Sequence, residues 1–256
     1  MTPTRDHTAW IFGGDTPCRQ PPAAVQRAWR LVLIGPPGVG KGTQAELLES
    51  ALGACTLSTG ELFRAASLGL LAGDAASGDV QRCMHRGGLV SDETVLSLVR
   101  QRRHCLRCTG GFMLDGFPRT VAQAEALDRL LAEEQCPLDA VVNYELPLAH
   151  VAERLSGRRH CPQCRITYHV TFHRPLVDGL CDRCRGPLVQ RRDDNATSVQ
   201  ARVAAFSIAT VPVIDYYRAR GLLVSVNASG DPVDILARTL DSLAALREPA
   251  HAAPLP

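Results

Sequence analysis

Residues Gly35-Pro36-Pro37-Gly38-Val39-Gly40-Lys41-Gly42-Thr43 carry a pattern, G-x-x-x-x-G-K, that can hold a phosphate. Its glycines let successive backbone N–H groups turn towards one anion, and a helix starting at its end adds a favourable field. Lys41 would then bridge the outer phosphates. The chain has 28 Lys and Arg residues, and Lys41 is the single lysine among them. A composition so biased to arginine retains a lysine by chance or where a compact ammonium is needed. A second constellation is Cys161-x-x-Cys164, separated by sixteen residues from Cys181-x-x-Cys184. Two such turns, each presenting two sulfurs, close a tetrahedron at zinc-ribbon spacing. Four protein ligands leave no position for water, so a metal held there would be structural.

These groups need elements to position them. Apolar runs of strand length recur at Leu31–Ile34, Cys55–Leu57, Phe112–Leu114, Ala140–Glu145 and Leu222–Val226. Helical stretches lie between them at Lys41–Ala51, Asp92–Arg103, Val121–Glu134 and Thr197–Arg220. This alternation predicts an α/β fold, with a parallel sheet covered on both faces. The first run enters the glycine-rich loop and a helix leaves it, which is the context a phosphate cradle requires. Thr120 and Gln123 have capping-box spacing for the helix after Pro118. The stretch 157–194, rich in Cys, Arg, Gly and Pro, breaks the pattern and reads as a small insert with its own stabiliser. Residues 1–29 show no sustained periodicity and read as a flexible extension, with order beginning at Arg30; residues 248–256 read as a tail.

Composition narrows the classes. The chain has 256 residues, 45% hydrophobic and 21% charged, which suits a folded protein and excludes wholesale disorder. No apolar run approaches the roughly 18–20 residues of a membrane span. A net charge of +2 is too mild to attract nucleic acid in bulk. Ten cysteines could form a secreted disulfide framework, but Trp10-Ile11-Phe12 is too short for the apolar core of a signal peptide. In a reducing compartment the paired CxxC units read as metal before disulfide. Cys105-x-x-Cys108 lacks a second pair and is expected to stay reduced, even with His104 and His85 nearby.

Seven separated motifs then resemble one family. They are GPPGVGKGTQ (35–44), LSTGELFRAA (57–66), GGLVSDE (87–93), GFMLDGFPRT (111–120), ERLSGRRHCPQC (153–164), CDRC (181–184) and QRRDD (190–194). From about Arg30 to Ala245 the chain resembles an adenylate kinase of the long, zinc-lid type. GKGT in place of GK[ST] is itself more a nucleotide-kinase trait than an ATPase one. The resemblance implies a P-loop nucleoside monophosphate kinase fold over residues 30–247, with a five-stranded parallel sheet flanked by helices. It places an AMP-binding segment at 58–90 and a zinc-containing lid at 157–194. The implied reaction is reversible phosphoryl transfer from ATP to AMP, giving two ADP, with Mg2+ accompanying the nucleotide and structural Zn2+ in the lid. A cytoplasmic monomer acting on small nucleotides, with no nucleic-acid or membrane partner, is the implied setting.

Carried over motif by motif, Gly38, Val39, Gly40, Lys41, Gly42 and Thr43 would hold ATP together with Arg154, Arg158, Thr167, Tyr168 and Gly230. AMP would meet Thr59, Arg64, Gly88, Leu89, Val90, Gly116, Phe117, Pro118, Arg119, Gln123, Arg191 and Arg202. Arg119 would clamp the acceptor phosphate, and Gln123 would read the adenine edge unless it serves only the helix cap. Lys41, Arg119, Arg158, Arg191 and Arg202 would supply the catalytic charges. Asp115 would organise magnesium through water, the alternative being a turn or cap residue. Phosphoryl transfer asks mainly for positioning and charge neutralisation. No His or Cys nucleophile stands beside the glycine-rich loop, which favours direct in-line transfer.

Three departures accompany the resemblance. Glu61 stands where the family usually has Asp, the stretch Ser67–Arg86 is longer than usual, and Ala228 and Gly230 replace a usual Gly and Lys. The last of these predicts a loosely read donor base. The alternatives are therefore a GTP:AMP phosphotransferase, another nucleoside monophosphate kinase, or a protein that binds nucleotide without transfer. A zinc-ribbon nucleic-acid-binding protein is a further class, but the Arg pairs at 102–103, 158–159 and 191–192 lack interleaved aromatics for stacking.

Overall fold

The computed structural model describes residues 7–14, 16, 28–67, 69–71, 78–164, 166–191 and 194–247. The expectations made for residues 1–6, 17–27 and 248–256, and part of the longer stretch after Ser67, lie outside them. Among the described residues there are seven strands: β1 (Trp29–Ile34), β2 (Cys55–Ser58), β3 (Gly111–Asp115), β4 (Ala140–Glu145), β5 (Arg158–His160), β6 (Thr167–His169) and β7 (Leu223–Asn227). Five pair in parallel in the order β2-β3-β1-β4-β7. Leu31 stands opposite both Met113 and Ala140, which fixes β1 at the centre.

These strands read as continuous apolar runs because both faces of the sheet are covered. Successive side chains point to opposite faces. Val32, Ile34, Leu114 and Val141 enter the core on one side, and Leu31, Leu33, Met113 and Val142 enter the other. The helices are α1 (Thr8–Phe12), α2 (Lys41–Leu52), α3 (Thr59–Ser67), α4 (Gly78–His85), α5 (Asp92–Arg100) and α6 (Arg103–Leu106). They continue with α7 (Val121–Glu133), α8 (Ala149–Ser156), α9 (Ala196–Ala205), α10 (Val211–Ala219) and α11 (Pro232–Ala245). Helices α3, α5, α7 and α10 cover the first face, while α2 and α11 cover the second. With all five strands running one way, the loops after Ile34, Ser58, Asp115, Glu145 and Asn227 meet at one edge. That carboxyl edge is where open α/β sheets bind ligands.

Two expectations are corrected. The segment before Arg30 is not wholly a flexible extension, because residues 8–12 form α1 and bury Trp10 to 1% exposure within the main core. Arg102 fastens it, its guanidinium donating to Trp10 O, to Ile11 O at 2.8 Å and to Leu98 O at 2.9 Å. A five-residue helix is too short to show a period, so the sequence pattern could not announce it. The sheet likewise begins one residue early, with Trp29 buried under the Arg247 guanidinium, 3.3 Å from the ring centroid.

The long helix expected at Thr197–Arg220 is present as Ala196–Ala219, interrupted by a π-turn at Phe206–Thr210. Pro212 follows the turn and has no N–H to continue the ladder, while Thr210 Oγ1 donates to Arg119 O at 3.1 Å. This helix is long and apolar enough to cross a membrane by length and composition alone. It instead packs Val213, Ile214 and Tyr217 into the core and carries Arg202 to a carboxylate, Asp194.

Candidate active site

The loop after β1 turns because its glycines adopt backbone shapes closed to other residues. At Gly38, φ is 76° and a Cβ would stand 2.8 Å from Leu155 Cγ. Gly40, with φ of 103°, is the N-cap of α2. Lys41 opens that helix and folds back, its Nζ donating to Gly35 O at 2.6 Å and Pro36 O at 3.0 Å. Burial pushes its ammonium down to about 7, with Asp115 opposing and Arg119, Arg202 and Arg158 adding to the shift. A cluster of cations therefore surrounds one lysine at a helix N-terminus, an arrangement suited to a polyanion.

Asp115 ends β3 opposite Leu33 and Ser58, and its Oδ2 accepts from Ser58 Oγ at 3.3 Å. Arg158 and Arg202 are held by a carboxylate the sequence reading passed over. Asp194, 4% exposed, accepts from Arg158 Nε at 2.8 Å, from a second nitrogen of the same guanidinium, and from Arg202 at 3.1 Å. Arg191 donates to Thr167 Oγ1 at 3.3 Å. Loss of the Asp194 charge should misplace two cations at once. Asp194→Asn is expected to lower kcat about 10- to 100-fold with little change in the fold's melting, as steady-state kinetics and calorimetry would show. An unchanged kcat would deny Asp194 this role.

One cleft of about 1420 Å³ collects most of the expected site residues. Gly38 to Thr43, Arg64, Leu89, Asp115, Gly116, Pro118, Arg119, Arg154, Arg158, Thr167, Tyr168, Arg191, Arg202 and Gly230 line it. Thr59, Gly88, Val90, Phe117 and Gln123 do not line it. Thr59 is buried and donates to Asp115 O at 3.4 Å, and Phe117 is a core side chain. Gln123 is held by contacts within the fold. Its Oε1 accepts from Arg119 N at 2.8 Å and its Nε2 donates to Asp92 Oδ1 at 2.7 Å, so both ends of the amide are engaged within the fold. Thr120 Oγ1 accepts from Gln123 N at 3.1 Å, the cap the spacing predicts, with the return bond displaced by one residue.

On the opposite wall Arg154 donates to Val39 O and Ala228 O, each at 3.0 Å, and stands 5.7 Å from the ring centroid of Phe172. Ala228 itself is fully buried, its N–H donating to Glu145 O at 2.9 Å. Its methyl group thus faces the core, away from the cleft. Phe172, which lines the cleft from the insert, was missed because no motif marks it.

The insert is built around its cysteines. Among the described residues, Cys161, Cys164, Cys181 and Cys184 are the group that could hold a metal, their sulfurs all within 4.8 Å of one another. Thiolates around a zinc ion at about 2.3 Å stand about 3.8 Å apart, so the set fits. Burial and the neighbouring sulfurs push Cys164 up to about 12, whereas the N–H groups of Cys184 and Arg183 outweigh burial and draw Cys181 down to about 6. A divalent cation would relieve that crowding of charge. Tyr168, Ile166 and Leu188 are the main apolar groups packed around the sulfurs.

A family model described as adenylate kinase matches residues 33–222. The chain belongs to the adenylate kinase family. It is 44% identical over 214 residues to the adenylate kinase of Desulfitobacterium hafniense (strain DSM 10664 / DCB-2), covering 84% of this chain and 97% of that one. Identity is 44% over 219 residues with the adenylate kinase of Carboxydothermus hydrogenoformans, covering 84% and 99%. With that of Streptomyces griseus subsp. griseus it is 42% over 220 residues, covering 86% and 99%. This adenylate kinase is therefore an enzyme of phosphoryl transfer between adenine nucleotides, on an α/β fold with a five-stranded parallel sheet.

Proposed function

We propose that this adenylate kinase moves the terminal phosphoryl group of ATP directly to AMP, giving two ADP. The convergence of Lys41, Arg119, Arg158 and Arg202 on one charge field beside Asp115 carries the reading. Lys41 and the N–H groups of Gly38 to Thr43 hold the donor phosphates, and Arg158 and Arg191 reach them from the insert. Arg119 and Arg64 hold the acceptor phosphate. Gln123 fixes the backbone of Arg119 and would also read the adenine edge. Magnesium accompanying the nucleotide would neutralise charge there, and Asp115 would organise it through water. Zinc on the four thiolates is structural, since they complete its shell.

We place the enzyme in the cytoplasm as a monomer, a setting that suits nine cysteines outside any disulfide among the described residues. Its arginines gather in one cleft of nucleotide-site residues, so no nucleic-acid partner is proposed.

A panel of donors and acceptors tests the substrate assignment. AMP is expected to be the preferred acceptor, with CMP and UMP poor. GTP should work within about tenfold of ATP, because Ala228 is buried and Gly230 offers no side chain to read the base. Strong ATP selectivity joined to promiscuous acceptors would reverse the assignment.

A further inference from the structure

We propose that residues 7–12 position the acceptor half of the active site, strapping α3 to α2 so that the acceptor phosphate meets a pre-set Arg64. The proposal rests on the reading of AMP as acceptor. The contacts of three residues carry it. The Trp10 indole N–H donates to Ser58 O at 3.0 Å, at the end of β2 and directly before α3. His7 Nδ1 lies 3.1 Å from Glu61 Oε2 on α3, and its Nε2 lies 3.5 Å from Glu49 Oε2 on α2. Arg102 closes the far end through the carbonyls of Trp10 and Ile11 while also bonding Leu98 on α5.

The His7 tie joins the two elements that matter most for transfer, since α2 begins with Lys41 and α3 carries Arg64. Against the cost of its burial, Glu49 and Glu61 raise His7 to about 10, so the imidazolium persists through neutral pH. Glu61 is the position where the family usually shows Asp, and its longer side chain is the one that reaches His7. The strap also lies ahead of the family match at 33–222, and the relatives are covered nearly end to end by only 84–86% of this chain. Restricting α3 before the acceptor arrives removes part of the ordering cost of binding, which should appear as acceptor affinity.

Trp10→Phe, His7→Gln and Glu61→Asp in the full chain test this. Trp10→Phe keeps the ring in the core and removes the donor to Ser58 O. Each variant is expected to raise KM for AMP about five- to tenfold, leave KM for ATP within about twofold, and change kcat little. In the double variant His7→Gln with Glu61→Asp the effects should not add, since both break one contact. A purely structural role would move both KM values together, and that outcome, or an unchanged KM for AMP, overturns the proposal. The partly exposed pair at His7 and Glu61 keeps the test open should Trp10→Phe fold poorly. Wild-type protein that does not phosphorylate AMP would instead overturn the acceptor reading and this inference with it.

Discussion

Lys41→Met is expected to lower kcat for AMP phosphorylation about 100- to 1000-fold, the usual cost of removing one pre-aimed charge stabiliser. Methionine fills a similar volume, so the loss should be electrostatic and the melting temperature nearly unchanged. The position is the N-terminus of α2, where the ammonium already bonds Gly35 O and Pro36 O and shares a field with three arginines. Burial first, and those arginines next, push the free lysine down to about 7. Above that pH most of the free enzyme must take up a proton when it binds donor phosphates. Affinity for ATP should therefore weaken as pH rises from 7 to 9, and calorimetry in buffers of different ionisation enthalpy should register proton uptake. A variant keeping more than about a tenth of wild-type turnover would remove Lys41 from the transfer step.

Cys181→Ser combined with Cys184→Ser is expected to unfold the insert and leave the sheet folded. Its small core consists of the sulfurs with Tyr168, Ile166 and Leu188, so metal–thiolate bonds supply most of its folding free energy. Wild-type protein should carry one zinc per chain. In the double variant, amide exchange in the insert should quicken more than about 100-fold, equivalent to ~2.7 kcal/mol of local stability, while β1 and β3 stay protected. The thermal midpoint should fall, and turnover should drop with the unfolding of the insert, because Arg158 and Arg191 ride on it; the closed metal shell itself adds nothing to the chemical step. Protein purified under reducing conditions without metal, or turnover abolished with the insert still folded, would contradict a structural role.

The parts legible in the sequence were those whose physics is local. Buried parallel strands are continuous apolar runs, and β1 to β4 and β7 lie within two residues of those runs. The glycine-rich loop and the paired CxxC turns depend on spacing within a few residues, and both stand where their motifs put them. The missed features depend on distant partners. Asp194 gathers Arg158 and Arg202 from 36 and 8 residues away, which nothing in QRRDD discloses. Gln123 could read a base or close a cap by its type; Asp92, 31 residues earlier, completes its engagement within the fold. Helix α1 had no period to show, and its burial arises from Arg102, more than ninety residues downstream.

The most direct measurement follows both nucleotides by phosphorus NMR as purified protein acts on equimolar ATP and AMP with magnesium. Loss of ATP and AMP one for one, with two ADP formed and no inorganic phosphate, is the expected result. ATP consumed without AMP, or phosphate released in place of the second ADP, would contradict direct transfer between the two nucleotides.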